Sequence, residues 1–194
     1  MKAIIYLSLY FMVFSGAAMA IEEPSFKILK DTSDYQIRQY DQILVAQTLV
    51  NDDFEESGNR AFRVLADFIF GNNKTNTKVA MTAPVNMHKE DKGYIVQFTM
   101  PKAYSAETLP DPNNKSVEIR QIPARKVAVY SYSGSWSQER YNEKLKAFKE
   151  ALSRDGVKTI GEPSFARFNS PFQIWFLRRN EIWIELDPVK NSSF

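Results

Sequence analysis

The chain has 194 residues, no Cys, a single His (His88), 25 Lys and Arg against 23 Asp and Glu, and 44% hydrophobic residues, about one globular domain's worth of sequence. Without thiolates and with one imidazole, disulfides and Cys nucleophiles are excluded, Cys- and His-built metal centres are nearly so, and a Ser-His-Asp triad would have to use His88. The near-neutral balance, without Lys/Arg clusters, gives no electrostatic footprint for nucleic acid.

Residues 1–20 read as a signal peptide. Lys2 supplies a short positive start, Ala3 to Phe14 form an apolar run too short to span a bilayer, and Ala18-Met19-Ala20 is a small-x-small cleavage site. The mature chain is expected to begin at Ile21 and to be exported to a periplasm or the exterior, without a membrane span. A retained N-terminal anchor is the other reading. Loss of Lys2 leaves 24 basic and 23 acidic residues. A mature chain of this size can hold together by its core alone, without disulfide staples.

Short runs of β-branched and aromatic residues predict strands at Phe26–Lys30, Tyr35–Tyr40, Ile43–Val50, Val79–Met87, Tyr94–Met100, Val117–Gln121, Lys126–Ser133, Pro171–Leu177 and Glu181–Leu186. Two helical patterns interrupt them. The first starts at Asp52, with Glu55 in the capping-box position, and stops at Gly71; Phe54, Gly58, Ala61, Phe62, Leu65 and Ile69 share one face. The second starts near Ser135 and stops before Gly156, with Tyr141, Leu145, Phe148 and Leu152 as its stripe. The halves also match each other. Ile37-Arg38-Gln39 recurs as Ile119-Arg120-Gln121 and Val45-Ala46 as Val127-Ala128, at an offset of 82 that becomes 87 beyond the helices, taking Pro84 to Pro171. This predicts one domain over residues 21–194 built from two strand-strand-helix-strand-strand units, about 21–100 and 117–187, although short matches of strand residues also arise by coincidence. Such units would pool their strands into one antiparallel sheet or open barrel, with each helix covering apolar sheet surface.

Tyr35-Gln36-Ile37-Arg38-Gln39-Tyr40, the helix ending Phe68-Ile69-Phe70-Gly71-Asn72-Asn73, Met81-Thr82-Ala83-Pro84-Val85 and Arg179-Asn180-Glu181-Ile182-Trp183 occur in this order. Together they resemble the SOUL family of heme-binding proteins over about Glu23 to Asp187. The resemblance implies an α+β fold, a distorted antiparallel β-barrel made from the repeated units and flanked by two helices. It also implies binding of heme or a related porphyrin as ligand. Where some members carry an axial His, this chain has Gln39, which does not ligate heme iron under ordinary conditions. Other members are thought to hold the macrocycle against an apolar face of the first helix; here that face is Phe62, Leu65, Ala66 and Ile69. Positions that are basic in some relatives are Asn59 and Asp67, so propionate pairing falls to Arg60, Arg63 or Lys74.

Strand alternation puts His88 on the polar face with Thr82, Pro84 and Asn86, as a solvated hairpin residue, and puts Met81 and Met87 on the core face. A phenolate from Tyr35, Tyr40, Tyr130 or Tyr132 is then the remaining axial candidate. Glu181, Trp183 and Glu185 share a strand face. If that face lines a cavity, Glu185 suits acid/base work on a small aromatic ligand, as a hydrolase or dechelatase; a solvated sheet face is the preferred reading. The expectation is a non-enzymatic binder of heme or another porphyrin, in an apolar groove beside the first helix, without His on the iron and without a protein metal site. An envelope interaction module without a ligand is the third possibility.

Overall fold

The computed structural model describes residues 21–170 and 172–191; the expected signal peptide and Pro171 lie outside them. Among the described residues the strands are β1 (Phe26–Asp31), β2 (Gln36–Tyr40), β3 (Ile43–Val50), β4 (Val85–Glu90), β5 (Gly93–Thr99), β6 (Glu118–Ile122), β7 (Arg125–Ser133), β8 (Thr159–Arg167) and β9 (Arg179–Leu186). The helices are α1 (Phe54–Ile69), between β3 and β4, and α2 (Gln138–Arg154), between β7 and β8. All strands join one curled sheet in the order β1-β2-β7-β9-β8-β4-β5-β3-β6, and every pairing is antiparallel. From β2 to β6 this order reads the same when β2, β3, β4 and β5 are exchanged with β6, β7, β8 and β9. The palindrome is the order expected of two strand-strand-helix-strand-strand units, and the seam between the two halves is the β4–β8 pair. The sheet stays an open half-barrel, with β1 and β6 at its edges.

Strand alternation gives the sheet two unlike faces. Ile37, Ala128, Ile182 and Ile184 point outward beneath Phe148, Ala151 and Leu152 of α2. Ala46, Val96 and Phe98 lie beneath Ala61, Leu65, Phe68 and Ile69 of α1. The neighbouring positions point into the curl, where Tyr40, Val127, Val129, Ala166 and Trp183 pack together. Each large helix side chain buried this way contributes about 1.5–3 kcal/mol.

Both helices begin on a capping side chain. Asp53 accepts from the Glu56 N–H at 2.8 Å, and Ser137 accepts from the Arg140 N–H at 3.3 Å. The first cap is thus one residue later than the Asp52/Glu55 pair suggests. Asp52 instead faces Arg60 at 2.9 Å.

The run ending at Leu177 is not a strand; Trp175–Leu177 form a single 3-10 turn in the long connection between β8 and β9. The partner of β4 is Thr159–Arg167, which sequence patterning missed. Its alternation is broken by a bulge between Ile160 and Ser164, where Gly161 takes φ +68° and Pro163 has no N–H to donate. The longer connection of the second half falls after β8 rather than before it, and Pro171, the expected counterpart of Pro84, lies outside the described residues.

Candidate functional site

A groove of about 540 Å³ opens at the seam between the two units. Gly58, Phe62 and Arg63 of α1 form one side, Met81 to Ala83 and Val85 the second, and Trp136 with Arg167 to Ser170 the third. These segments are distant in sequence and meet because β4 pairs with β8, placing Val85 directly opposite Arg167. The size lies within the usual range for small-molecule sites, and the walls are mostly apolar.

Of the residues expected to form such a groove, Phe62 and Arg63 line it. Phe62 is half-buried, with its ring 5.4 Å from that of Phe98. Leu65, Ala66 and Ile69 do not: they are buried, and Leu65 and Ile69 belong to the core under α1. The apolar stripe is buried along the whole helix, from Phe54 through Gly58, Ala61 and Leu65 to Ile69, and Phe62 at its edge stays half-buried and faces the groove. Arg60 is held away by Asp52, and Lys74 is exposed beyond the helix, where its N–H donates to the Asp111 carbonyl. At the rim, Arg63 forms a loose pair with Glu56 at 3.5 Å. Met81, expected in the core, is instead exposed on the groove wall, whereas Met87 is buried beneath α1.

Sequence reasoning overlooked Arg167 and Trp136. The Arg167 guanidinium lies 5.1 Å from the Trp136 ring centroid, and Arg178 stacks on the same indole at 4.3 Å. Arg167 has no hydrogen-bond or ion-pair partner among the described residues. Its apolar surroundings bring it down to about 10, with burial as the cause, while part of the side chain stays open to the groove. It remains a cation at neutral pH. The Trp136 indole N–H is also buried without an acceptor. A smaller cavity of about 270 Å³ lies across the same two side chains, sharing Asn59, Trp136 and Arg167. The available signal was Gly58, a glycine on the buried face of a helix, where Ala is worth roughly 0.5–1 kcal/mol more. A Cβ there would sit 3.0 Å from Arg167 Nη2.

The other candidates lie elsewhere. Gln39 on β2 donates its amide to the Tyr40 carbonyl at 3.0 Å. His88 is half-buried on β4 rather than solvated, and desolvation holds its imidazole below the usual value. It is not on the groove wall. Tyr35 donates to Asp155 at 2.8 Å, and Tyr40 accepts from Arg38 at 3.2 Å. Burial pushes Tyr35 and Tyr40 up to about 12 and raises Tyr132 further, which disfavours a phenolate.

The face carrying Glu181 and Trp183 is not a solvated one. Glu181 is 2% exposed inside the curl, accepting from Arg38 at 3.1 Å, Trp183 Nε1 at 2.7 Å and Ser131 Oγ at 3.3 Å. Glu185 is half-exposed and faces Arg125 at 3.3 Å. Among the described residues no His/Asp/Glu group can hold a metal ion, and no helix is long and apolar enough to cross a membrane.

The comparisons with known proteins agree with this architecture. The SOUL heme-binding protein model matches residues 21–185. Heme-binding protein 2 of Homo sapiens is 28% identical over 91% of this chain and 93% of its own, and heme-binding protein 2 of Mus musculus is 28% identical over 85% and 86%. Among solved structures, the EcmrR C-terminal domain matches with a TM-score of 0.57 and 13% identity, over 79% of this chain and 98% of that one. A hydrolase from Listeria innocua matches with a TM-score of 0.58 and 7% identity, over 82% and 94%. At such identities the structures share the fold alone. With the family model spanning nearly all of the described residues, the chain belongs to the SOUL heme-binding protein family.

Proposed function

We propose that the protein binds heme or a related tetrapyrrole in the groove beside α1, without histidine on the iron. The observation that carries this reading is an open, largely apolar groove of about 540 Å³ with cationic side chains on its wall and no imidazole there. Phe62, Met81, Val85 and Trp136 offer a surface to the macrocycle, and Arg63 stands at the rim beside its polar edge. Apolar contact supplies most of the attraction. An unpartnered cation in an apolar wall also suits a ligand that is planar and apolar over most of its area and anionic at one end. The role is binding rather than catalysis: Glu181 is locked by its donors, Glu185 is engaged with Arg125, and neither lies on the groove wall.

Export belongs to the same proposal. Ile21, the first residue expected after cleavage, lies on the groove wall.

Hemin titration with Soret absorbance tests the reading. Saturable binding at micromolar protein is expected for the wild type and, nearly unchanged, for His88→Ala. Phe62→Asp is expected to lose binding while its circular dichroism spectrum stays that of the wild type. No saturable Soret change in the wild type, or its loss in a folded His88→Ala variant, would overturn the proposal.

A further inference from the structure

The groove wall holds a charge that the fold itself does not use. Every other arginine of the described residues donates to a carboxylate or a backbone carbonyl: Arg38 to Glu181, Arg178 to the Gln173 carbonyl and Arg140 to that of Ser133, with Arg60, Arg63, Arg120, Arg125, Arg154 and Arg179 in ion pairs. Arg167 alone faces only aromatic rings and the groove. A desolvated cation is costly without a counter-charge, yet the chain admits this one by keeping a glycine in the adjacent helix. Beside it is a second donor without an acceptor, the Trp136 indole N–H.

We propose that Arg167, with Trp136 beside it, forms a carboxylate seat, and that the groove selects planar apolar ligands by a free carboxylate rather than by a metal. This rests on the reading of the groove as a tetrapyrrole site. The guanidinium fork matches both carboxylate oxygens, and the apolar walls strengthen a charge-assisted pair by excluding water. The neighbouring acid, Glu56, is engaged with Arg63 at the rim and leaves the seat free. The anchoring charge therefore comes from the β8 side of the seam, not from α1 or the loop after it.

The test compares metal-free protoporphyrin IX with its dimethyl ester, by fluorescence titration of the wild type, Arg167→Gln and Arg167→Lys. The wild type is expected to bind the free acid about tenfold to a hundredfold more tightly than the ester, the range for a hydrogen bond to a charged group. Arg167→Gln is expected to weaken the free acid to the level of the ester and leave ester binding unchanged; Arg167→Lys retains part of the preference. Equal wild-type affinity for acid and ester would overturn the seat while leaving the tetrapyrrole reading intact, and this arm needs no variant to fold. Equal loss of both ligands in Arg167→Gln would assign Arg167 to wall packing and overturn the seat as well. Failure of the wild type to bind either porphyrin would overturn both proposals together.

Discussion

At the scale of single residues, the molecule separates charges that hold the fold from charges free to meet a ligand. The Arg38–Glu181 pair belongs to the first kind. Both side chains are buried inside the curl, and the guanidinium also covers the Phe26 ring at 4.3 Å. Arg38→Met leaves the buried Glu181 carboxylate with only Arg179, at 3.8 Å, as a cation and is expected to cost about 3 kcal/mol in urea denaturation, whereas replacing both Arg38 and Glu181 by Met restores most of that loss. Buried titratable groups bound the pH range of the fold. His88 titrates below its ordinary 6.5 in the native state, so as pH falls below about 6.5 the unfolded chain takes up a proton first and stability declines. Tyr35 and Tyr40 titrate at about 12 rather than 10. Between those values the unfolded chain loses phenolic protons that the native state retains, so stability falls as pH rises through that window. Urea midpoints measured across pH check both limbs, and His88→Gln is expected to flatten only the acid one. Alternation correctly put His88 opposite the core of α1, but it carried no information on how far the sheet curls over that second face. The curl is what turns an apparently solvated face into a half-buried one.

At the scale of elements, helix existence was legible because the 3.6-residue stripe and the capping chemistry agree. The register of the first cap was not, since Asp52 and Asp53 each have a Glu three residues on. The two aspartates now make different predictions. Asp53→Ala removes a cap and is expected to cost about 1 kcal/mol in thermal denaturation. Asp52→Ala removes a surface ion pair and is expected to cost a few tenths. A second contrast lies along α1, where Leu65 is core and Phe62 is groove wall. Leu65→Ala is expected to destabilise by about 2–5 kcal/mol, and Phe62→Ala by clearly less, with its main effect on ligand affinity. The sequence shows one apolar stripe from end to end, and only the packing decides that its centre is core while Phe62 at its edge meets the groove. Strand β8 escaped notice for a local reason: a glycine with positive φ, a proline and a bulge remove the alternation that marks a strand, while the apolar run after it belongs to a loop.

At the scale of the whole molecule, the palindromic strand order, whose matching strands carry the Ile-Arg-Gln and Val-Ala echoes, accounts for where the groove lies. Pairing of β4 with β8 makes a seam between the two halves, and the groove opens at that seam with α1 from one half and Trp136 and Arg167 from the other. No linear motif spells such a groove, because its walls come from residues 58, 59, 62 and 63, from 81–83 and 85, from 136 and from 167–170, joined only by sheet topology. The most direct test of the central claim is amide and indole chemical-shift mapping with metal-free protoporphyrin IX, which needs no iron ligand and reports location. Seam binding predicts that the perturbed signals cluster at Phe62, Arg63, Met81, Trp136 and Phe168, leaving Gln39 and the inner-face residues Gln47, Gln97 and Trp183 unmoved. Shifts confined to those inner-face residues or to β2 around Gln39, or no shifts under saturating porphyrin, would contradict it.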